Sequence, residues 1–278
     1  MFRLLDHYKA LLDIGPVQMS IAAERRGEPL GREWRKLEEL VSGWLADIQR
    51  YLPEVRKPWT EMNSTSGYPK AVQRMYAAVS STGEPGLTPM AAVAGTIAGL
   101  ARDYLVEQGA GKVLVNNGGD IAIYLGREER TRVGVTPRLG AAPSHYLELR
   151  AGSPVGGIAT SGQGGRSFTL GIADAAVGIA ASPEVADACA TVLGNAVNVE
   201  SILIERRPAR EIDPATDIPN LMVTTAVGPL PEEMRAEALE RGMQKARQLV
   251  DGKLLLGAVL FLNGEMRQYP DGMVCPIE

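Results

Sequence analysis

A chain of 278 residues with 45% hydrophobic residues is long enough to bury a sizeable core. Its net charge of −4, with basic residues scattered along the chain, argues against nucleic acid as the main partner, because phosphate binding needs clustered Lys and Arg. Cys189 and Cys275 stand far apart without a CxxC, which excludes a disulfide framework and a zinc knuckle and fits a reducing, cytoplasmic setting.

In chain order, "MFRLLDHYKALLD" places Arg3, Asp6, Lys9 and Asp13 where a signal peptide needs its apolar core, so no export is expected. Residues 8–23 read as two short strands around Gly15-Pro16. Over residues 30–52, Trp34, Leu37, Leu40, Val41, Trp44, Leu45 and Ile48 recur at helical spacing and predict an amphipathic helix. A polar connecting loop follows over residues 53–69, and its sequon at Asn63 carries no weight without a secretory route.

Thr88-Pro89 opens a second helix, as N-cap and first helical residue, that runs to about Gln108. Residues 90–101 form the longest apolar stretch, too short to span a bilayer, so no membrane segment is expected. Gly95 and Gly99 each forgo about 1 kcal/mol of helix propensity relative to alanine, so another element or a ligand must approach that surface closely.

From Lys112 onward, "KVLVN", "DIAIYLG", "RVGVT", "YLELRA", "GGIATS", "SFTLGI" and "AVGIAA" predict short antiparallel strands. A third helix starts at Ser182-Pro183 and reaches about Asn198. Strands at 202–205 and 222–227, a charged helix at 231–250 and a hairpin turning at Asn263-Gly264 complete the chain. Strands and helices do not alternate throughout, so the fold class is α+β, in one domain over residues 1–278.

Three segments carry candidate chemistry. In "VNNGGDIAIYLG", Asn117-Gly118 is a strong type I′ turn signal, yet Gly119 and Asp120 then look surplus and leave bare backbone N–H groups that suit a phosphate. In "SPEVADACATVLGNAVN", Asp187, Thr191 and Asn195 follow one another at helical spacing. A carboxylate and a hydroxyl on one face suit a hard cation such as magnesium, while the same Asp187 near a helix amino end is also favoured by the macrodipole alone.

In "GGIATSGQGGRSF", the glycines, Thr160, Ser161 and Arg166 fit either a phosphate-cradling loop or a surface linker. Ala159 stands where a nucleophile elbow around Ser161 needs glycine, and only His7 and His145 exist, so a serine-hydrolase triad and a histidine-rich metal site are set aside.

Taken in order, these segments resemble the ApbE-like superfamily, whose best-known members are magnesium-dependent flavin transferases. "NNGGDI" at 116–121 looks like its "GGD" signature, "IATSG" at 158–162 like its "TSG" loop, and "ADACAT" at 186–191 like its "ADAxAT" helix motif. "GLTPMAAVAGTIAG" and "GIADAAVGIAASPEVADACATVLGNAV" bring the chain nearest to an uncharacterised prokaryotic branch of that superfamily.

The resemblance implies an ApbE-like (T-fold type) arrangement of antiparallel sheets and helices, with FAD or FMN and Mg2+ as cofactors. Asp187 and Thr191 match the magnesium-binding and catalytic positions; Asn117, Gly118, Gly119 and Asp120 shape the ligand site, and Thr160, Ser161, Gly162 and Arg166 lie beside the cofactor phosphates.

The transferases carry a lysine-glycine pair before the "GGD" strand and a histidine after "TSG". Here those places read "MAAVAGTIAG" and "GQGGRSFTLG", so the cation pocket and the transfer chemistry become separate expectations. The alternative is a non-transferase protein that binds another phosphorylated or anionic ligand, with an accessory role in sulfide assimilation. Either fits a small-molecule partner, no nucleic acid, no membrane, and a homo-oligomer.

Overall fold

The computed structural model describes residues 1–25, 30–62, 65–138, 140–165 and 167–277. The sequon asparagine, Asn63, and the loop arginine, Arg166, lie outside the described residues. The chain runs β1 (Phe2–Leu4), β2 (Lys9–Ile14), β3 (Val17–Glu24), α1 (Arg32–Arg50), α2 (Leu52–Val55), α3 (Lys70–Ser81), α4 (Val93–Glu107), β4 (Lys112–Asn117) and β5 (Asp120–Leu125). It continues with β6 (Arg130–Val135), β7 (His145–Arg150), β8 (Gly157–Ser161), β9 (Ala175–Ala180), α5 (Pro183–Ala196), β10 (Ile204–Pro208) and α6 (Ala209–Ile212). The last elements are β11 (Met222–Val227), α7 (Glu232–Asp251), β12 (Gly257–Leu262), β13 (Glu265–Tyr269) and β14 (Cys275–Pro276).

The elements gather into two compact units, the first comprising residues 1–131, 149–159 and 180–188, the second the remainder. In the first, β1, β2, β3, β4, β5 and the start of β8 pair in that order, antiparallel where the register is defined. Strict alternation in β3, "VQMSIAAE", buries Val17, Met19, Ile21 and Ala23 on one face, and α1, α3 and α4 cover that core. Trp34, Leu37, Val41 and Ile48 form the buried stripe of α1, as its spacing predicts.

In the second unit, β12 pairs antiparallel with β9 and with β13, and α7 packs on β12 and β13. Strands β6, β7 and β14 form a three-stranded sheet, and β10 pairs with β11. The α+β class and the antiparallel pairing agree with the sequence reading.

Four local expectations are corrected. The chain turns at Gly118 and Gly119, both at positive φ, while Asn117 and Asp120 are the paired residues that flank them. Both glycines are therefore the turn itself. Residues 167–172 form no strand, because their backbone bonds go to the end of α5 and the residues after it: Leu170 N–H donates to Asn195 Oδ1 at 2.9 Å and Ile172 N–H to the Val197 carbonyl at 2.8 Å.

Thr88 is the N-cap residue and Pro89 the first residue, as expected, but of a 3₁₀ turn, Pro89–Ala92; Thr88 makes no side-chain cap bond and α4 begins only at Val93. The stretch read as a polar loop contains α2 and a 3₁₀ turn at Trp59–Glu61. Helix α3, to which the sequence reading assigned no element, follows it, with Ala71, Val72, Met75, Ala78 and Val79 buried.

Candidate functional site

Two segments of the first unit converge on the amino end of α4. The first N–H groups of a helix have no intrahelical acceptor, and the N-cap residue here, Ala92, has no side chain to offer one. Asp187 on α5 supplies it. The Gly95 N–H donates to Asp187 Oδ2 at 2.8 Å, and the Ala94 N–H is near enough to favour the charged carboxylate.

Close approach requires the missing side chain of Gly95. A Cβ there would collide with the carbonyl oxygen of Pro183 and stand 2.8 Å from the Asp187 Cβ. One turn later, a Cβ on Gly99 would stand 2.9 Å from Pro183 Cγ. The surface that the two glycines bare is thus met by another element, the first turn of α5.

The hairpin reaches the same place. Asn117, 2% exposed, donates from Nδ2 to the Ala94 carbonyl at 3.2 Å, and Asp120, paired with it across the turn, lies close enough for its charge to act on Asp187. Asn116 Oδ1 accepts from the Gly119 N–H at 2.8 Å and secures the turn.

Burial pushes the Asp187 carboxyl well above the usual carboxylate range, and the negative charge of Asp120 pushes it further, as does that of Glu184. The two N–H groups of α4 pull the other way without cancelling the effect. Although deeply surrounded, Asp187 keeps partial exposure to solvent.

Among the described residues, no group of three or more His, Cys, Asp or Glu side chains is arranged to hold a metal. Magnesium asks for less, since it takes few protein oxygens and keeps waters or substrate phosphates for the rest. An aspartate whose charged influences are two further carboxylates has the sign and hardness that such a cation fits. Thr191, also partly exposed, follows four residues later on α5.

Thr191 and the remaining predicted residues belong to the second unit. Thr160 and Ser161 end β8 and are partly exposed. Gly162 is buried at φ 141°, and a Cβ there would stand 2.9 Å from the carbonyl oxygens of Ala173 and Asp174. Asn195, expected to extend the Asp187–Thr191 face, has its Oδ1 engaged by the Leu170 N–H.

Sequence reasoning missed an ion-pair network beside Asp187. Arg74 on α3 donates from Nε to Glu184 Oε1 at 2.8 Å and from Nη1 to Asp103 Oδ2 at 2.7 Å. Arg102 pairs with Asp103 at 2.7 Å and donates from Nη1 to the Gly156 carbonyl at 3.1 Å. Burial works against the charge on Asp103, but Arg74 and Arg102 outweigh it and hold its carboxyl below the ordinary range. The adjacent Arg102-Asp103 pair was a visible signal, whereas the link from Arg74 to Glu184 spans 110 positions and left none.

The fold is that of the ApbE proteins: the flavinyl transferase ApbE of Pseudomonas stutzeri superposes with a TM-score of 0.55 over 96% of this chain and 97% of that one, at 13% identity. At that identity the likeness is one of fold. The chain itself belongs to the family described as AbpE bacteria, whose model matches residues 3–268.

Archaeal relatives include the UPF0280 proteins of Methanothrix thermoacetophila, 46% identical over 121 residues, and of Methanosarcina barkeri, 38% identical over 138. The matches cover 42% and 49% of this chain, and the chain spans about half the length of these relatives, 49% and 53%. No helix among the described residues is long and apolar enough to cross a membrane.

Proposed function

We propose that this protein binds a flavin, FAD or FMN, together with Mg2+ held at Asp187, and that it supports flavin-transferase chemistry of the ApbE kind. The observation that carries the reading is Asp187: a carboxylate of a partly exposed residue, pressed by the charges of Asp120 and Glu184, at the amino end of α4. Bound there, magnesium would polarise a flavin pyrophosphate. Thr191 offers a second oxygen ligand, and Asn117 with Asp120 anchors the hairpin beside the cation. Gly118 and Gly119 offer backbone at the turn, and Thr160, Ser161, Gly162 and Arg166 are the candidates for the phosphates. The protein is expected in the cytoplasm.

A second reading keeps the same cation site for another phosphorylated or anionic ligand, with an accessory role in sulfide assimilation. It is favoured by "GQGGRSFTLG", which has no histidine after the "TSG" loop. Calorimetric titration with FAD, with and without magnesium, on wild type and Asp187→Ala tests both. Magnesium-enhanced FAD binding that the substitution abolishes is expected. Equal FAD affinity in both proteins at every magnesium concentration overturns the assignment, and absent FAD binding beside intact magnesium binding favours the second reading.

A further inference from the structure

We infer that Arg74 is a positioning residue for Asp187, acting through Glu184, the carboxylate three positions earlier on α5. The inference rests on the cation site proposed at Asp187, but it concerns how that carboxylate is placed.

Arg74 belongs to α3 and reaches two other elements with two separate nitrogens. Nε meets Glu184 of α5 at 2.8 Å and Nη1 meets Asp103 of α4 at 2.7 Å. A planar guanidinium fixes the angle between two such acceptors, which an ammonium does not. Arg102 braces the far side of Asp103 with two contacts, Nε at 2.9 Å and Nη2 at 2.7 Å, and its Nη1 donates to the Gly156 carbonyl. The first turn of α5 is therefore tied to α3 and α4, through Glu184, at the place where Pro183 lies against Gly95 and Gly99.

Charge gives the arrangement a second consequence. Glu184 is 8% exposed and its negative charge acts on Asp187. Pairing with Arg74 offsets that charge, so the cation site keeps an acidic residue nearby without its full repulsion. Arg74 bonds to Glu184 and Asp103 while Asp187 accepts from the Gly95 N–H, so the influence passes along one turn of helix.

The Gly95 amide reports the position of Asp187 directly, since it donates to that carboxylate. Hydrogen exchange of Ala94 and Gly95 and calorimetric titration with Mg2+ would be measured on wild type, Arg74→Met, Arg74→Lys and Arg74→Met/Glu184→Gln. For Arg74→Met we expect at least tenfold faster exchange at these two amides with β4 still protected, and a loss of about 10–100-fold in magnesium affinity, the range typical of outer-shell partners.

The double variant is relieved of the unpaired Glu184 charge but still lacks the tie between α3 and α5, so exchange at Ala94 and Gly95 should stay as fast as in Arg74→Met while only part of the magnesium affinity returns. Arg74→Lys keeps the charge but not the fork, so it should fall between wild type and Arg74→Met; it also serves if Arg74→Met does not fold.

Wild-type exchange at Ala94 and Gly95 in Arg74→Met or, should it not fold, in Arg74→Lys overturns the inference. So does a double variant with wild-type exchange and wild-type magnesium affinity, which would leave the unpaired Glu184 charge, and not positioning, as the whole effect of Arg74→Met. If wild type binds no magnesium, the cation reading falls while the exchange rates still decide the role of Arg74.

Discussion

At Asp187 two influences on the carboxyl charge disagree. The amino end of α4 favours a negative group, while burial and the nearby carboxylates of Asp120 and Glu184 disfavour it, and the second influence prevails because the carboxyl is held well above its ordinary range. A carboxyl raised in this way adds stability at low pH and loses it as pH rises through the folded value.

Asp187→Asn keeps an oxygen for the Gly95 N–H and removes the charge. In chelator at neutral pH it should raise Tm by about 2 °C or more, since roughly 1 kcal/mol moves a domain of comparable size by that much. Magnesium should reverse the order. At a hundredfold excess over Kd a bound ion adds about 2.7 kcal/mol to wild type and nothing to the variant. Scanning calorimetry of both proteins in chelator and in magnesium checks this, and a magnesium gain shared by the variant would place the ion elsewhere.

Helix contact explains the glycines of α4. Alanine at Gly95 would gain about 1 kcal/mol in helix propensity, but its Cβ would collide with the Pro183 carbonyl, and overpacking of this kind costs roughly 1–3 kcal/mol or more. Gly95→Ala should therefore be destabilising in urea denaturation. Gly43 is its control: it sits in α1 with nothing within 4 Å of a Cβ, so Gly43→Ala should be stabilising by up to about 1 kcal/mol. Equal responses at the two positions would refute the packing account.

The hairpin between β4 and β5 shows how an element is shifted by one residue when only its turn signal is read. Asn117-Gly118 carries the right residue types, yet Asn117 is 2% exposed and bonded to Ala94, so burial keeps it in the strand and moves the turn to Gly118-Gly119.

For the whole molecule, acid stability draws on carboxylates held by arginines. Asp103 is lowered despite its burial because Arg74 and Arg102 face it. Such a group contributes stability above its unfolded value, near pH 4, and loses it as pH falls towards its lowered folded value. Urea midpoints measured between pH 5 and about 2 should decline for wild type and decline less for Asp103→Asn, which starts from lower stability at neutral pH. A variant with the wild-type slope would show that the network has no part in acid unfolding.

Family membership extends over residues 3–268, which includes most of both compact units. Periodicity in the sequence sufficed for α1, α5, α7, the hairpin at Asn263-Gly264 and most of the strands, because each rests on local spacing and turn chemistry that neighbours reinforce. It also sufficed to single out Asp187, by its helical spacing to Thr191, and the "NNGGD" turn, by the residues it holds beyond a two-residue turn signal.

Only the tertiary structure decided what they meet. The turn of the β4–β5 hairpin, the non-strand at 167–172, the contact of Gly95 with α5 and the link from Arg74 to Glu184 depend on partners 23 to 110 positions away. Hydrogen-bond acceptors and excluded volume supplied from such distances override local preference, and no local pattern encodes which distant residue will supply them.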